Sequence, residues 1–257
     1  MMKMKSAFRA LAAAACAFFY GCTMHKLSPK ASDNLDYGMP SSDCVVIERN
    51  GYALGHKPEW KQAAWVSYRL TKEEVQSNVC RRANSFAKDP LLSESFSVPS
   101  DYSRSGYDRG HLAPAADMSW SEEAMRESFY MSNMSPQAPM LNRGIWKKLE
   151  MWVRDAAAKE ESVVVVTGPV VCSNDVGKTI GKNEVIVPSA FYKVVYDETP
   201  PEKMIGFIMP NEGSTNSIAF FAVSVDKVED ATGLDFFSEI EDRRENELEL
   251  MCDIDMW

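Results

Sequence analysis

The amino-acid sequence predicts an α+β fold in a single domain that covers residues 42–257. Short runs of β-branched and apolar residues, bounded by turn residues, are typical of strands and recur along the chain. Other segments carry apolar residues at helical spacing. Apolar residues make up 45% of the chain and charged residues 25%, a balance that supports a sizeable globular core.

Six strands are predicted from the short apolar runs, at residues 44–47, 64–70, 162–167, 185–195, 204–209 and 218–225. Five helices are predicted from helical periodicity, at residues 72–77, 121–128, 142–159, 228–233 and 238–251. The longest of them places Leu149 and Val153 on an apolar face. An adjoining stripe carries Asn142, Glu150 and Arg154, which are spaced by multiples of four residues.

Residues 1–21 are predicted to be an export signal. Three basic residues precede an apolar run at 10–20, which is too short for a membrane span of about 20 residues. Residues 22–41 are rich in Ser, Pro, Lys and Asp and are predicted to be a flexible tether. The protein is therefore expected to be exported.

The end of the export signal leaves two destinations open. Gly21 and Cys22 indicate a lipoprotein processing site, at which a lipidated Cys22 attaches the chain to a membrane. Phe19 and Tyr20 depart from the small or branched aliphatic residues usual before such a cysteine, so simple secretion is the alternative. We expect either a cell-envelope lipoprotein or a periplasmic or secreted protein.

Four cysteines remain after the signal, at Cys44, Cys80, Cys172 and Cys252. In an exported chain they allow two disulfides with three possible pairings. None has CxxC spacing, which makes a zinc site less favoured than bridges or unpaired buried thiols. The sequence does not choose between these two.

The run DRGH at residues 108–111 is the feature that most constrains the chemistry of this chain. Histidine has an ordinary pKa of about 6.5, which makes it a usable base near neutral pH. His25 lies beside the predicted processing site and His56 lies in a turn-like run, whereas His111 is flanked by an arginine, a glycine and an acid. His111 is the candidate base, although a lone histidine is more often a hydrogen-bonded structural residue.

The predicted helix 142–159 offers an amide, a carboxylate and a guanidinium on one side, from Asn142, Glu150 and Arg154. Mg²⁺ prefers oxygen ligands and keeps several waters, so an asparagine carbonyl and a carboxylate that orients a bound water are a sufficient protein contribution. A guanidinium matches the geometry of phosphate oxygens. The simpler interpretation is a helix cap at Asn142 and a surface ion pair between Glu150 and Arg154.

Longer runs around these residues resemble one family. The matching runs are AWVSYR at 64–69, YDRGHLAPAADM at 107–118, SNMSPQ at 132–137, LNRGIW at 141–146 and VVVTGP at 164–169. After about residue 42 the chain is similar to the DNA/RNA non-specific endonucleases, which are sugar-non-specific ββα-metal nucleases. The resemblance implies a largely antiparallel central sheet with flanking helices and an embedded ββα-metal active-site element. It also implies an endonuclease that cleaves DNA and RNA with little sequence specificity and leaves 5′-phosphate ends.

The resemblance assigns roles to individual residues. It implies that His111 is the general base and that Asn142 is the direct protein ligand of one Mg²⁺, for which Mn²⁺ is an expected substitute. Glu150 corresponds to a carboxylate that acts on the ion through water, and Arg154 to an arginine that stabilises the transition state. The implied substrate-binding residues are Arg109, Arg82, Asn133 and Gln137. The last two correspond to family positions that support either the active site or the substrate.

Three charged residues near the motif have less definite roles. Arg82 is a candidate only, because aligning residues 89–90 with the family places Asn84 where the family has its phosphate-binding arginine. Asp108 is expected to fix the local loop and not to bind the metal. Asp117 is interpreted as an ordinary turn acid.

The net charge of −9 argues at first against a nucleic-acid substrate, because proteins that bind phosphates tend to be basic. Residues 155–257 carry 8 basic and 21 acidic groups, whereas residues 81–154 carry 10 and 9. The acidic residues are therefore concentrated after the candidate site. A local cationic groove can still form from the basic residues at 81–154. A solvated mixed-charge surface is the competing interpretation. We expect modest, salt-sensitive substrate affinity.

The leading hypothesis is an exported, Mg²⁺-dependent endonuclease that acts on DNA and RNA. The alternative is a non-catalytic envelope protein that binds nucleic acid in the same basic groove. The sequence predicts neither the oligomeric state nor an inhibitor partner.

Overall fold

Strands form the centre of the molecule. The computed structural model describes residues 33–257, which belong to one unit, Ala31–Trp257. The strands are β1 (Val45–Glu48), β2 (Ala53–Lys57), β3 (Gln62–Thr71), β4 (Asp108–His111), β5 (Met134–Gln137), β6 (Ser162–Val170), β7 (Thr179–Ile180), β8 (Val185–Ile186), β9 (Ala190–Asp197), β10 (Lys203–Pro210) and β11 (Ala222–Val223). The α-helices are α1 (Lys72–Gln76), α2 (Glu122–Ser128), α3 (Trp146–Glu160), α4 (Val225–Thr232) and α5 (Asp242–Glu249).

Seven strands form one sheet in the order β1-β2-β3-β6-β9-β10-β11, and every neighbouring pair in it is antiparallel. The antiparallel pair β4-β5 and the short pair β7-β8 form two separate two-stranded sheets. This architecture confirms the predicted α+β fold with a largely antiparallel central sheet and flanking helices.

Helices cover both faces of the central sheet. Because side chains alternate between faces along a strand, Val163 and Val165 of β6 pack on the side of α3, whereas Val164 and Val166 pack on the side of α4 and α5. Both sets are buried, which explains why β6 reads as an uninterrupted apolar run. The sheet is therefore the middle layer of three.

The predicted elements are correct where long apolar runs or clear helical periods mark them. The predicted strand 185–195 is instead divided into β8 and β9. The predicted strand 218–225 is mostly a 3₁₀ turn, Ile218–Phe221, followed by the two residues of β11. Short strands β2, β4 and β5 were not predicted, because four or five residues with glycine, histidine or proline carry no strand pattern.

The N-terminal predictions are only partly covered by the described residues. The export signal at 1–21, the lipidation site at Cys22 and the tether up to residue 32 lie outside them. The rest of the predicted tether packs on the domain. Asn34 is buried and its backbone carbonyl accepts a hydrogen bond from Ser67 Oγ at 2.6 Å, while Tyr37 packs edge-on against Tyr196. The packed chain thus begins before the predicted boundary at residue 42.

The four cysteines of the described chain are free thiols: Cys44 and Cys80 are partly buried, and Cys172 and Cys252 are exposed. Of the two open interpretations, the structure has unpaired thiols, although only two of them are shielded from solvent. No helix among residues 33–257 has the length and apolar character needed to cross a membrane.

Candidate active site

His111 is the last residue of β4, and it pairs with Met134 of the antiparallel strand β5. The imidazole is 7% exposed and packs against two rings, edge-on to Phe129 at 4.9 Å between centroids and tilted to Phe86 at 5.7 Å. Its Nε2 atom is buried and has no hydrogen-bond partner among the described residues. Burial, and then the positive charge of Arg82, lower the pKa of His111 to about 3. The ring is therefore held in its neutral, proton-accepting form.

Asn133, one residue before β5, fixes the backbone that follows His111. Its backbone carbonyl accepts from the N–H of Leu112 at 3.0 Å, and its side-chain oxygen accepts from the N–H of Ala113 at 2.9 Å. Its amide nitrogen donates to the carbonyls of Ala113 and Ser128, each at 2.9 Å. These bonds use the whole amide, and Asn133 is fully buried. Asn133 therefore supports the backbone behind His111 and does not line the cavity described below, and its contact with substrate stays a prediction.

Gln137 lies under the DRGH strand. A Cβ atom at Gly110 would come within 2.2 Å of Gln137 Oε1, so only glycine allows this close approach of β4 to the Gln137 side chain. Gln137 is fully buried and does not line the cavity described below. Like Asn133, it packs behind the site, and its contact with substrate stays a prediction.

Asn142 lies in a π-helical turn, Leu141–Ile145, whose Gly144 departs from helical geometry with φ −108° and ψ −111°. Asn142 Nδ2 donates to Asp108 Oδ2 at 2.9 Å, and Arg143 donates to both oxygens of the same carboxylate at 2.8 and 2.5 Å. A carboxylate only accepts, so this bond fixes the amide with its carbonyl oxygen free. Asp108 thus orients the candidate ligand, as predicted for a residue that fixes the loop.

Helix α3 starts after this turn and carries Glu150 and Arg154. The two do not form an ion pair with each other. Arg154 instead donates to Asp117 Oδ1 at 2.7 Å, and the other oxygen of Asp117 accepts from Tyr68 at 2.9 Å. Asp117 is completely buried and holds Arg154 in place. The interpretation of Asp117 as an ordinary turn acid is wrong.

Lys193, like Asp117, is a candidate functional residue that the sequence pattern did not indicate. It lies in β9 between Phe191 and Val195, on the α3 side of the sheet, and is fully buried. Its Nζ atom lies 5.1 Å from the Trp146 ring centroid and has no hydrogen-bond partner in the described chain. Burial lowers the pKa of this ammonium group, whereas the charge of Glu150 raises it. The signal in the sequence is a lysine within the predicted strand 185–195, at a position where its neighbours on the same face are apolar.

Burial raises the pKa of Glu150, and the positive charges of Lys193, Arg154 and Arg82 oppose that rise. Asp117 adds to the rise because it is a second acid nearby. Burial prevails, so Glu150 holds a proton more tightly than an ordinary glutamate does. A shifted carboxyl group in a cavity is a candidate functional residue.

One cavity brings these side chains together. It has a volume of about 310 Å³ and is lined by Arg82, Arg109, His111, Pro114, Ala115, Ala116, Asn142, Arg143, Lys147, Glu150 and Arg154. Five of the lining residues are cations and one is an acid, so the predicted local cationic groove is present despite the net negative charge.

Arg82 and Arg109 are also held by neighbouring groups, as Arg143 and Arg154 are. Arg82 is exposed, lies 5.0 Å from the ring centroid of Phe129, and donates to Asn84 Oδ1 at 2.9 Å. Arg109 donates to the backbone carbonyl of Pro99 at 2.9 Å. Arg82, and not Asn84, lines the cavity. Both predicted arginines are therefore within the candidate site.

The cavity combines a neutral imidazole, a free amide oxygen, an acid of raised pKa and several fixed cations. Oxygen donors of this kind suit a hard divalent cation that keeps part of its water shell. The surrounding guanidinium groups suit a substrate with phosphate oxygens. This arrangement supports chemistry on a phosphodiester.

The chain is similar to known proteins in sequence and in fold. Residues 30–243 match the family described as DNA/RNA non-specific endonuclease. The chain is 34% identical to the mitochondrial nuclease EXOG of Xenopus laevis over 89% of this chain and 68% of that protein. It is 34% identical to Nuclease C1 of Cunninghamella echinulata var. echinulata over 83% of this chain and 91% of that protein. A solved structure of EndoG in complex with EndoGI is 35% identical, with a TM-score of 0.76 over 82% of this chain and 92% of that one.

Proposed function

The chain belongs to the DNA/RNA non-specific endonuclease family, and on that premise we propose that it hydrolyses phosphodiester bonds of DNA and RNA with Mg²⁺ as its metal ion. The observation that carries this proposal is the meeting of His111, Asn142, Glu150 and Arg154 in one cationic cavity. Cations that reach phosphates carry no direct information about base sequence, which fits cleavage with little sequence preference.

The proposed general base is His111. Its neutral imidazole accepts the proton of the attacking water, and the 3′ oxygen leaves on the opposite side of the phosphorus, so that the product carries a 5′-phosphate. The low pKa of the free imidazole keeps it deprotonated. A bound phosphate raises the basicity of the ring, because its negative charge offsets the repulsion by Arg82.

The donor set fits a divalent cation held by the carbonyl oxygen of Asn142 directly and by Glu150 through water. Asp108 keeps the Asn142 amide in that orientation through the 2.9 Å hydrogen bond. A cation bound there supplies positive charge beside the reacting phosphate and stabilises the transition state. Mn²⁺, which also accepts oxygen ligands, is the proposed substitute.

Arg154 is proposed to stabilise the charge on the phosphate oxygens in the transition state, and Asp117 holds it in position for that role. Arg82 and Arg109 are proposed to bind phosphates of the substrate strand. None of these three guanidinium groups reads a base, so their contribution is to affinity and rate.

The experiment is incubation of the purified chain with plasmid DNA and with RNA, in Mg²⁺ or in chelator. His111→Ala and Asn142→Ala are each expected to abolish cleavage, with folding intact by circular dichroism. Asn246→Ala, at an exposed position on α5, is the matched control and should cleave like the parent protein. Binding of both nucleic acids without strand scission would instead support the non-catalytic alternative.

Export is a separate proposal, which rests on the basic residues, apolar run and Gly21-Cys22 pair of the N-terminal sequence. We propose that the chain leaves the cytoplasm and is either anchored by a lipid on Cys22 or released. Cell fractionation of the parent chain and of Cys22→Ser tests this. Movement of the variant from the membrane to the soluble fraction supports the lipid anchor, and an intact chain that stays in the cytoplasm contradicts export.

A further inference from the structure

Three carboxylates meet on the α4–α5 side of the molecule. Asp226 and Glu229 lie three residues apart on α4 and so project from the same side of that helix, and Glu249 ends α5. One oxygen from each side chain lies within 4.8 Å of the others. The group therefore brings formal negative charge from two helices to one point.

Glu249 provides an observation independent of the acidic composition. It is 6% exposed, and its Oε1 atom is buried without a hydrogen-bond partner among the described residues. Glu229 differs, because its Oε1 accepts from the backbone N–H of Phe236 at 2.8 Å. A buried carboxylate oxygen without a donor is unfavourable, so a cation placed beside Glu249 Oε1 would stabilise the folded chain.

No positive side chain in the described part of the chain compensates these acids. Among residues 33–257, none of Asp226, Glu229 and Glu249 forms an ion pair, and neither does the neighbouring Glu245. Glu245 also has a buried, unpartnered Oε1 atom. A cation bound among these acids would offset the repulsion between their charges.

We propose that Asp226, Glu229 and Glu249 form a second divalent-cation site, of the carboxylate type that Ca²⁺ occupies, and that the ion ties α4 to α5. Ca²⁺ takes six to eight oxygen ligands in flexible geometry, so three carboxylates from two helices and added water complete a coordination shell without an enclosed cage. The helices pack on the sheet through Val225, Val228 and Leu248, and the site lies across the sheet from the nuclease cavity. Its role is structural and does not depend on the proposed nuclease chemistry.

The test is calorimetric titration of the full chain with CaCl₂ in an Asn142→Ala background, which removes the ligand proposed for the catalytic ion. We expect one Ca²⁺ per chain with a dissociation constant of about 0.1 to 1 mM. Saturating CaCl₂ should raise the melting temperature by about 3 °C, because the ion binds the folded state.

Substitutions locate the ion. In the same background, the pair Glu229→Gln and Glu249→Gln should lose both the binding heat and the Ca²⁺-dependent rise in melting temperature. Glu247→Gln is the matched control, since Glu247 is an exposed acid on α5 that pairs with Arg243 at 3.3 Å. This control should keep both responses.

A second variant guards against poor folding of the double variant. Asp226→Asn leaves the buried Glu249 in place and should weaken Ca²⁺ binding in the same background, because it removes one of the three proposed ligands. Absence of Ca²⁺ binding, or equal Ca²⁺ responses in the double variant and the parent background, would overturn the proposal. A domain that is stabilised by acid and indifferent to Ca²⁺ would mean that protons alone relieve the cluster.

Discussion

Arg154 donates its hydrogen bond to Asp117, 37 residues earlier in the chain, and not to Glu150, which precedes it by one turn of the same helix. The distance from Arg154 to Asp117 Oδ1 is 2.7 Å, and the carboxylate is completely buried. Glu150 forms no ion pair among the described residues, and Lys193 is the neighbouring charge that most lowers its pKa. This geometry fits the proposal that Arg154 acts on phosphate and that Glu150 acts on a metal ion through water.

Asp117→Asn should lower kcat by about 10- to 100-fold, because the guanidinium loses its charged anchor and misalignment of a group beside the reacting phosphate is costly. The measurement is kcat and KM on a linear DNA substrate at saturating Mg²⁺. Tyr68→Phe is the matched control, since it removes only the hydroxyl that donates to the other oxygen of Asp117. Equal losses in both variants would show that packing, and not the anchoring of Arg154, is responsible.

The pH profile of kcat/KM should have one acid limb, and that limb should belong to Glu150. The pKa of His111 is lowered to about 3, so the imidazole stays neutral and competent as pH falls from 8 to 4. The pKa of Glu150 is raised above its ordinary value of 4.5, so this group gains a proton and loses its negative charge at a higher pH than an ordinary glutamate. When kcat/KM is measured from pH 9 down to pH 4, it should therefore decline while His111 is still neutral.

Two comparisons identify the group whose protonation produces the acid limb. Raising the Mg²⁺ concentration should move the limb to lower pH, because the ion competes with the proton for Glu150. In Glu150→Gln the limb should disappear from the residual activity. A limb near pH 6.5 that persists in that variant would assign it to an ordinary histidine and would contradict the buried environment of His111.

Lys193→Met should move the acid limb of kcat/KM to higher pH by about one unit, because the positive charge that most lowers the pKa of Glu150 is replaced by an apolar chain of similar length. Lys148→Met, at an exposed position on α3, is the matched control and should leave the profile unchanged. A Lys193 variant with lower activity but an unshifted limb would indicate a packing role only.

Asp108→Asn should weaken the apparent affinity for Mg²⁺ by about tenfold or more, since partners that orient a metal ligand commonly contribute that much. The amide of Asn142 loses the carboxylate that fixes its orientation at 2.9 Å. The measurement is the Mg²⁺ concentration at half-maximal rate, with Asp155→Asn, an exposed acid on α3, as the control. An unchanged Mg²⁺ dependence in Asp108→Asn would show that Asp108 does not orient Asn142 for metal binding.

Arg82→Ala should raise KM and make KM less sensitive to salt, because the salt dependence of binding falls by about one unit for each phosphate that the protein no longer neutralises. KM is compared at about 50 and about 200 mM NaCl, a range over which binding to phosphates weakens strongly. Arg126→Ala, exposed and outside the cavity, should leave the salt dependence as it is. An identical salt response in the Arg82 variant would exclude an interaction of Arg82 with phosphate.

The sequence predicted the parts of the site that neighbouring residues encode. The DRGH run and the spacing of Asn142, Glu150 and Arg154 along one helix placed four residues correctly in a common cavity. The β-branched runs likewise predicted the long central strands β3, β6 and β10. In each case a local period or motif carries the information.

The remaining features depend on tertiary packing. Asp117 and Lys193 become neighbours of α3 only when the sheet and the loop after β4 close around it, and no local pattern encodes that proximity. Asn133 and Gln137 have polar side chains suited to substrate, but their buried positions direct those side chains into the scaffold. A motif match identifies such positions without distinguishing a supporting residue from one that binds substrate.

The central sheet also divides the molecule electrically. Its α3 side carries the cavity lined by five cations, and its opposite side carries the carboxylates of α4 and α5. The carboxylates should repel a polyanion that approaches their side, and the cations of the cavity should attract one that approaches the other side. Productive encounters with a nucleic-acid strand should then arrive from one hemisphere, which reconciles an acidic protein with a polyanionic substrate.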